Sequence, residues 1–296
     1  MRLTNALRAG AVAAVLALAA TACGGSSTTS TSGDPSVAQS PSFEAGTTMD
    51  RLAKAGVIKI GTKFDQPLFG LKGLDGKPVG FDVEIAKIVA AKLGISADKI
   101  EYTETPSRVR EEVIEQKKVD AVIATYTIND TRKQRVSFAG PYYVAGQDLM
   151  VKKDDTTITG PESLRAANAK VCSVTGSTPA ANIAKYVDPA NIVLFDVYSK
   201  CADSLRNGQV QAVTTDNVIL LGLIDTSQGA FKLVGKTFTT EPYGIGITKG
   251  DVKFCQFIDK TLQDAVTDGS YERAWKNTAG KVEPTVPTLP PAIPCT

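Results

Sequence analysis

Two periods of apolar spacing alternate along the chain. Residues 57–61 and 100–103 read as strands, and between them Ile85, Ile88, Val89 and Leu93 recur at helical spacing. Asp82 is placed to cap that helix and Gly94 to stop it. Leu74-Asp75-Gly76-Lys77-Pro78 is a hairpin signal. Thr105-Pro106-Ser107 opens a further helix with Val109, Val113 and Ile114 on its apolar side. Residues 119–124 are a short apolar run of the kind a doubly covered strand shows. The run ends in Thr125, Tyr126 and Thr127, and Asn129-Asp130-Thr131 then signals a helix start, with Arg132 in its first turn. Further strands are predicted at 147–152, 170–175, 192–195 and 243–247, and helices at 177–186, 199–206, 254–265 and from 271. Alternating strands and helices predict an α/β protein.

One stretch is echoed. Val119-Asp120-Ala121-Val122 follows a helix and a polar turn and ends in polar groups; Val210-Gln211-Ala212-Val213 does the same and ends at Asp216. A single echo falls short of a solenoid, which needs three or more repeats, and suits two similar lobes facing each other. Arg132 would then come from one lobe and Asp216 from the other, a pair suited to a zwitterion. An Arg behind the carboxyl end of a strand offers a planar fork for a carboxylate, at the place where open α/β sheets hold ligands.

Composition narrows the classes. At 296 residues the chain has room for two domains. It carries 33 Lys+Arg and 31 Asp+Glu, and the excess is Arg2 and Arg8 in the first 22 residues, so the remainder is formally neutral and nucleic acid is not an expected partner. With no histidine, a Ser-His-Asp triad and a His-ligated zinc site are excluded. No metal or other cofactor is expected.

Arg2 and Arg8 precede an apolar run at 9–20, about the length of a signal-peptide core. It ends at Ala20-Thr21-Ala22-Cys23, which resembles the lipobox of bacterial lipoproteins, where the cysteine is acylated; Leu is usual where Ala20 stands. Residues 1–22 are thus expected to be a signal peptide, and 23–46, rich in Ser, Thr, Gly and Pro, a flexible tether anchored by lipid on Cys23. The other four cysteines allow three pairings; Cys172–Cys201 within the second lobe and Cys255–Cys295 at the tail are favoured, and their spacing fits no zinc knuckle.

Arg108 and Arg110 sit at the start of a helix, against its dipole, and a bound anion would remove the conflict, although Glu111 and Glu112 also offset it. One of the two arginines is expected to be a ligand. Gly176-Ser177-Thr178 forms a small anion nest or a plain helix cap.

The motifs GFDVEIAKIVAAKLG, VDAVIATYTINDTRKQRVSFAGPYY, GQDLMVKK, VTGST, QAVTTD and DGSYERAW, spread over residues 56–280, together resemble the solute-binding lipoproteins of ABC amino-acid importers, in the glutamine/glutamate/aspartate branch. The resemblance implies a two-lobed periplasmic-binding-protein fold of type II. Two five-stranded α/β lobes would be joined by two hinge strands, with the ligand in the cleft between them. Lobe 1 would be 47–146 and 246–296, and lobe 2 147–245, with hinges near 145–150 and 241–247. Carried over by position, Arg132 with Thr127 would hold an α-carboxylate, and Asp216 with the Thr125 carbonyl an α-ammonium. Ser177 and Thr178 would touch the ligand from lobe 2. Lys63 and Arg110 would meet a side-chain carboxylate, with Arg108 the substitute for Arg110. A position that is often histidine in relatives is Thr215 here. Glutamate or aspartate is therefore expected over glutamine, bound by cleft closure on the outer face of the cell membrane, with an ABC permease as partner and the chain a monomer. Three other readings stand beside this one: an enzyme on the same fold, a sensing module for a membrane signalling protein, and a binder of glutamine or another neutral amino acid.

Overall fold

A computed structural model describes residues 33–296. The expected signal peptide and Cys23 lie outside the described residues.

The strands of the first lobe are β1 (Ile58–Thr62), β2 (Asp65–Gln66), β3 (Gly70–Lys72), β4 (Pro78–Val79), β5 (Ile100–Glu104), β6 (Ala121–Val122) and β7 (Ser137–Ala145). The second lobe holds β8 (Gln147–Lys152), β9 (Val171–Val174), β10 (Ile192–Phe195), β11 (Ala212–Asp216) and β12 (Phe231–Leu233), and β13 (Glu241–Ile247) returns to the first. Two five-stranded sheets result, ordered β5-β1-β6-β13-β7 and β10-β9-β11-β8-β12, with β2-β3-β4 as a small third sheet. In each large sheet three neighbouring strands run parallel and a crossing strand joins antiparallel to them. The echoed segments end in β6 and β11, the middle strands of the two sheets, so the repeat seen in sequence is a repeat of position.

Gly146 alone separates β7 from β8. Its carbonyl accepts from Asn217 N at 2.8 Å and its N–H donates to Asn217 Oδ1 at 3.2 Å. The second crossing corrects the expected boundary. Glu241 already pairs with Ala145 and the whole of β13 lies in the first sheet, so the chain leaves lobe 2 within 234–240, before residue 245. There Phe238 N donates to the Gln147 carbonyl at 3.0 Å, tying the two crossings side by side.

The helix Phe81–Lys92 is buried more widely than its one predicted face, because the helices Val252–Thr267 and Ser270–Asn277 cover its other side. Phe81, Tyr143 and Trp275 form the aromatic centre of this lobe; Tyr143 stacks on Trp275 and Phe81 meets the same ring edge-on, both at 5.1 Å between centroids. Asp82 does not cap the helix: the cap position is Gly80 with no side-chain bond.

Residues 34–46, expected to be a flexible tether, lie on lobe 1. Ala38 N donates to the Ala91 carbonyl at 2.8 Å, Asp34 pairs with Lys87 at 2.9 Å, and Phe43 meets Phe257 edge-on at 5.5 Å. The tail lies on the same lobe, with Ile293 N bonded to the Gly140 carbonyl at 2.9 Å. Both favoured disulfides form, Cys172–Cys201 and Cys255–Cys295. With 29 and 40 residues between their ends, each is worth about 3–4 kcal/mol in the chain-entropy model. Replacing either pair by Ala should lower the free energy of unfolding by about that much in urea titration; an unchanged unfolding midpoint would show that the cross-link adds nothing.

Candidate functional site

The carboxyl ends of the strands point into the space between the lobes. From lobe 1, Lys63 follows β1, Ser107 and Arg110 follow β5, and Thr125 to Thr127 follow β6. Asn129 caps the short helix Asp130–Lys133 through a 2.9 Å bond from Arg132 N, which turns the Arg132 side chain back toward the strand end. From lobe 2, Ser177 caps the helix Thr178–Ile183, and Thr215 and Asp216 end β11. Ser107, Arg110, Thr125, Thr127, Ser177, Thr178, Tyr198, Thr215 and Asp216 line a tight cavity of about 10 Å³.

Three cations are buried at or beside this cavity. Arg132 donates from Nη1 to the Thr127 carbonyl at 2.7 Å and from Nη2 to the Gly176 carbonyl of lobe 2 at 3.1 Å, while Nε lies 3.3 Å from Glu111. Each terminal nitrogen carries two N–H groups, so one on each is left over for a ligand. Arg110 donates from Nη1 to the Ala124 and Thr125 carbonyls at 3.1 and 3.2 Å, and from Nε to the Ser107 carbonyl at 3.3 Å. Both guanidinium groups lie over the Tyr126 ring, at 4.3 Å for Arg110 and 5.1 Å for Arg132. Lys63 donates to Ser107 Oγ at 2.8 Å. Among the described residues, neither Lys63 nor Arg110 has a carboxylate within 4 Å, although both are at most 3 % exposed. Burial, followed by the charge of Arg110, lowers Lys63 to a pKa of about 7. The same two causes bring Arg132 down to about 10, still charged at neutral pH.

Glu111 apart, the buried acids around the cavity, Asp216 and Asp82, form no ion pair with these cations. Asp216 Oδ2 accepts from Tyr243 OH at 2.5 Å, and its Oδ1 is buried with no partner, as is Thr215 Oγ1 beside it. Burial, then the charge of Glu241, raises Asp216 to about 7. Asp82 accepts from Thr125 N at 2.8 Å and from Tyr142 OH at 2.6 Å, and burial raises it to about 7 as well. That bond fixes Thr125 at φ 45°, a left-handed backbone that a β-branched residue rarely adopts, at a cost of order 1–3 kcal/mol. Both carbonyls of the turn then face Arg110.

The choice between Arg108 and Arg110 resolves on geometry. Arg110 lines the cavity, whereas Arg108 is half exposed at the rim and pairs across the cleft with Asp196 at 2.9 Å. Two further expectations change. The Thr125 carbonyl accepts from Arg110. Gly176 to Thr178 is a capped helix start and offers less of a nest, since Ser177 N already donates to the Val174 carbonyl and Ser177 Oγ accepts from Ala180 N. Sequence reading missed Ser107, Tyr198 and Glu241. Glu241 accepts from Thr178 Oγ1 at 2.7 Å and from Thr239 Oγ1 at 2.8 Å, joining the hinge to the lobe 2 helix start. Its signal was a lone acid beside the return strand.

A model of the bacterial extracellular solute-binding proteins, family 3, matches residues 58–278. The chain is 37% identical over 282 residues to the glutamate-binding protein GluB of Corynebacterium efficiens, covering 92% of this chain and 90% of that one. It is 38% identical over 253 residues to a glutamine-binding protein of Geobacillus stearothermophilus, covering 85% and 95%. Among solved structures, an ancestral arginine-binding protein bound to glutamine superposes with a TM-score of 0.70 at 35% identity, over 75% of this chain and 97% of that one. Fold, cleft and sequence agree, and the chain belongs to the family 3 extracellular solute-binding proteins of bacteria.

Proposed function

We propose that this chain is the binding component of an ABC importer and holds glutamate or aspartate in the cleft between its lobes. The observation that carries the reading is the pair of buried cations, Lys63 and Arg110, whose hydrogen bonds go only to a hydroxyl and to carbonyls. A buried charge without a counter-charge is costly, and a ligand carboxylate between them would supply it. Arg132, with Thr127 beside it, holds the α-carboxylate. Asp216 Oδ1 takes the α-ammonium. Ser177 and Thr178 close on the ligand from lobe 2. Neutral glutamine would leave Lys63 and Arg110 unmatched. The relatives are named for both ligands, so charge in the cleft is what separates the two cases.

The chemistry asked of the site is recognition. An open cleft engages the ligand on lobe 1, and contacts available only when both lobes reach it drive closure. The family assignment and the relatives' roles favour binding over turnover. We place the protein on the outer face of the cell membrane, held by lipid on Cys23 and facing a permease. Cys23→Ser should release it from the membrane fraction; continued retention would remove the anchor from the account.

Calorimetric titration after unfolding and refolding, which strips carried-over ligand, tests the charge reading. Glutamate or aspartate should bind at least about tenfold more tightly than glutamine, and Arg110→Met should cost the acidic ligand about 2–5 kcal/mol while sparing glutamine. Equal affinity for glutamate and glutamine would overturn the reading. The same titration has a pH signature. Above pH 7 free Lys63 loses its proton and glutamate binding must restore it, so affinity should fall by up to about tenfold per unit. Below pH 7 Asp216 gains a proton and every amino acid should bind less well. Glutamine should show only the acidic limb, and Lys63→Met should abolish the alkaline limb for glutamate. Identical profiles for the two ligands would contradict the assignment of Lys63.

A further inference from the structure

The helix Tyr198–Arg206 starts without a cap of its own. The residue before it, Val197, is extended and offers no side-chain acceptor. A helix start leaves N–H groups without intrahelical partners, and the first of these, Tyr198 N–H, donates to Asp65 Oδ2 at 2.7 Å. Asp65 lies in β2, in the opposite lobe, so the cap crosses the cleft. Tyr198 is buried and lines the cavity with Thr215 and Asp216. The chain after Asp65 is seated on lobe 2 a second time. A Cβ on Gly222, in the helix Asn217–Asp225, would stand 2.4 Å from the Pro67 carbonyl oxygen, so only glycine permits the approach. The nearby Arg108–Asp196 pair also spans the lobes, but both side chains are about half exposed, where such pairs contribute little.

We propose that Asp65 sets ligand affinity without touching the ligand, by capping a helix of the other lobe only when the cleft is closed. The cap stabilises the closed form, and apparent affinity scales with the fraction of molecules in the competent form. A residue acting in this way changes the affinity for every ligand by one factor. The carboxylate also sits at the positive end of the helix dipole. The inference rests on the cleft being the binding site and is independent of the charge of the amino acid.

Asp65 also favours the charged form of nearby Lys63, so the decisive comparison is Asp65→Ala against Asp65→Asn. Both remove the charge, and only Asn keeps a capping acceptor. In the intact chain, calorimetry with L-glutamate and with L-glutamine should show Ala binding roughly three- to tenfold more weakly than Asn, by the same factor for both ligands. Energy transfer between a dye on each lobe, without ligand, should show a smaller closed fraction for Ala than for Asn. Gly222→Ala, which leaves both lobes intact and obstructs Pro67, should lower the closed fraction in the same way. Equal affinities for Ala and Asn, a ratio that differs between the ligands, or unchanged energy transfer would overturn the proposal. Should neither amino acid bind, the proposed function fails, and the energy-transfer comparison still decides the cap.

Discussion

Three cations share one buried space, and much of the first lobe is arranged to make that tolerable. Lys63, Arg110 and Arg132 repel one another in surroundings where water cannot screen them. The chain answers with neutral acceptors: the Ser107 hydroxyl, the carbonyls of Ala124, Thr125 and Thr127, and the face of Tyr126. Each cation–π contact of this kind contributes on the order of 1–2 kcal/mol when desolvated. Glu111 compensates Arg132 alone. The strained turn at Thr125 belongs to the same solution, because it aims consecutive carbonyls at one guanidinium, and Asp82 and Tyr142 hold it in place.

The second lobe supplies the opposite sign. Asp216, at the end of β11, is buried with Oδ2 on the Tyr243 hydroxyl and Oδ1 without a partner among the described residues, and the buried Glu241 of the return strand β13 accepts from the Thr178 hydroxyl of lobe 2. Without an ion pair between Asp216 and the arginines, each end of the site keeps capacity that an amino acid can fill. The adjacent crossings at Gly146 and 234–240 let the two charge sets approach, and the contacts of Arg132 with Gly176, Thr178 with Glu241 and Asp65 with Tyr198 join them. Ligand contacts and lobe contacts are thus interleaved along one seam.

The fold was legible because its signals are local. Helical spacing at Ile85, Ile88 and Val89, the hairpin at Asp75-Gly76 and the repeated Val-x-Ala-Val segments each lie within a few residues of one another. The cavity residues were legible for a related reason: in an α/β lobe they sit at or just beyond strand ends, as Thr125 and Asp216 do. What escaped were contacts between distant segments. Asp82 reaches Thr125 across 43 residues, and Asp65 reaches Tyr198 across 133, with no periodicity to announce either. An acid at the start of a helix reads as a cap, and Asp82 was read so. The end of lobe 2 was misplaced because the apolar pattern of 241–247 marks a strand without saying which sheet it joins. The docked stretch 34–46 was hidden by its Ser- and Pro-rich composition, in which Ala38 and Phe43 make the contacts.

A crystal structure of the refolded protein with L-glutamate would test the charge reading most directly. It should show the side-chain carboxylate at hydrogen-bond distance from Lys63 Nζ and the Arg110 guanidinium, the α-carboxylate on Arg132 and the ammonium on Asp216 Oδ1. A side-chain carboxylate directed away from both cations, with Lys63 turned out to solvent, would contradict it.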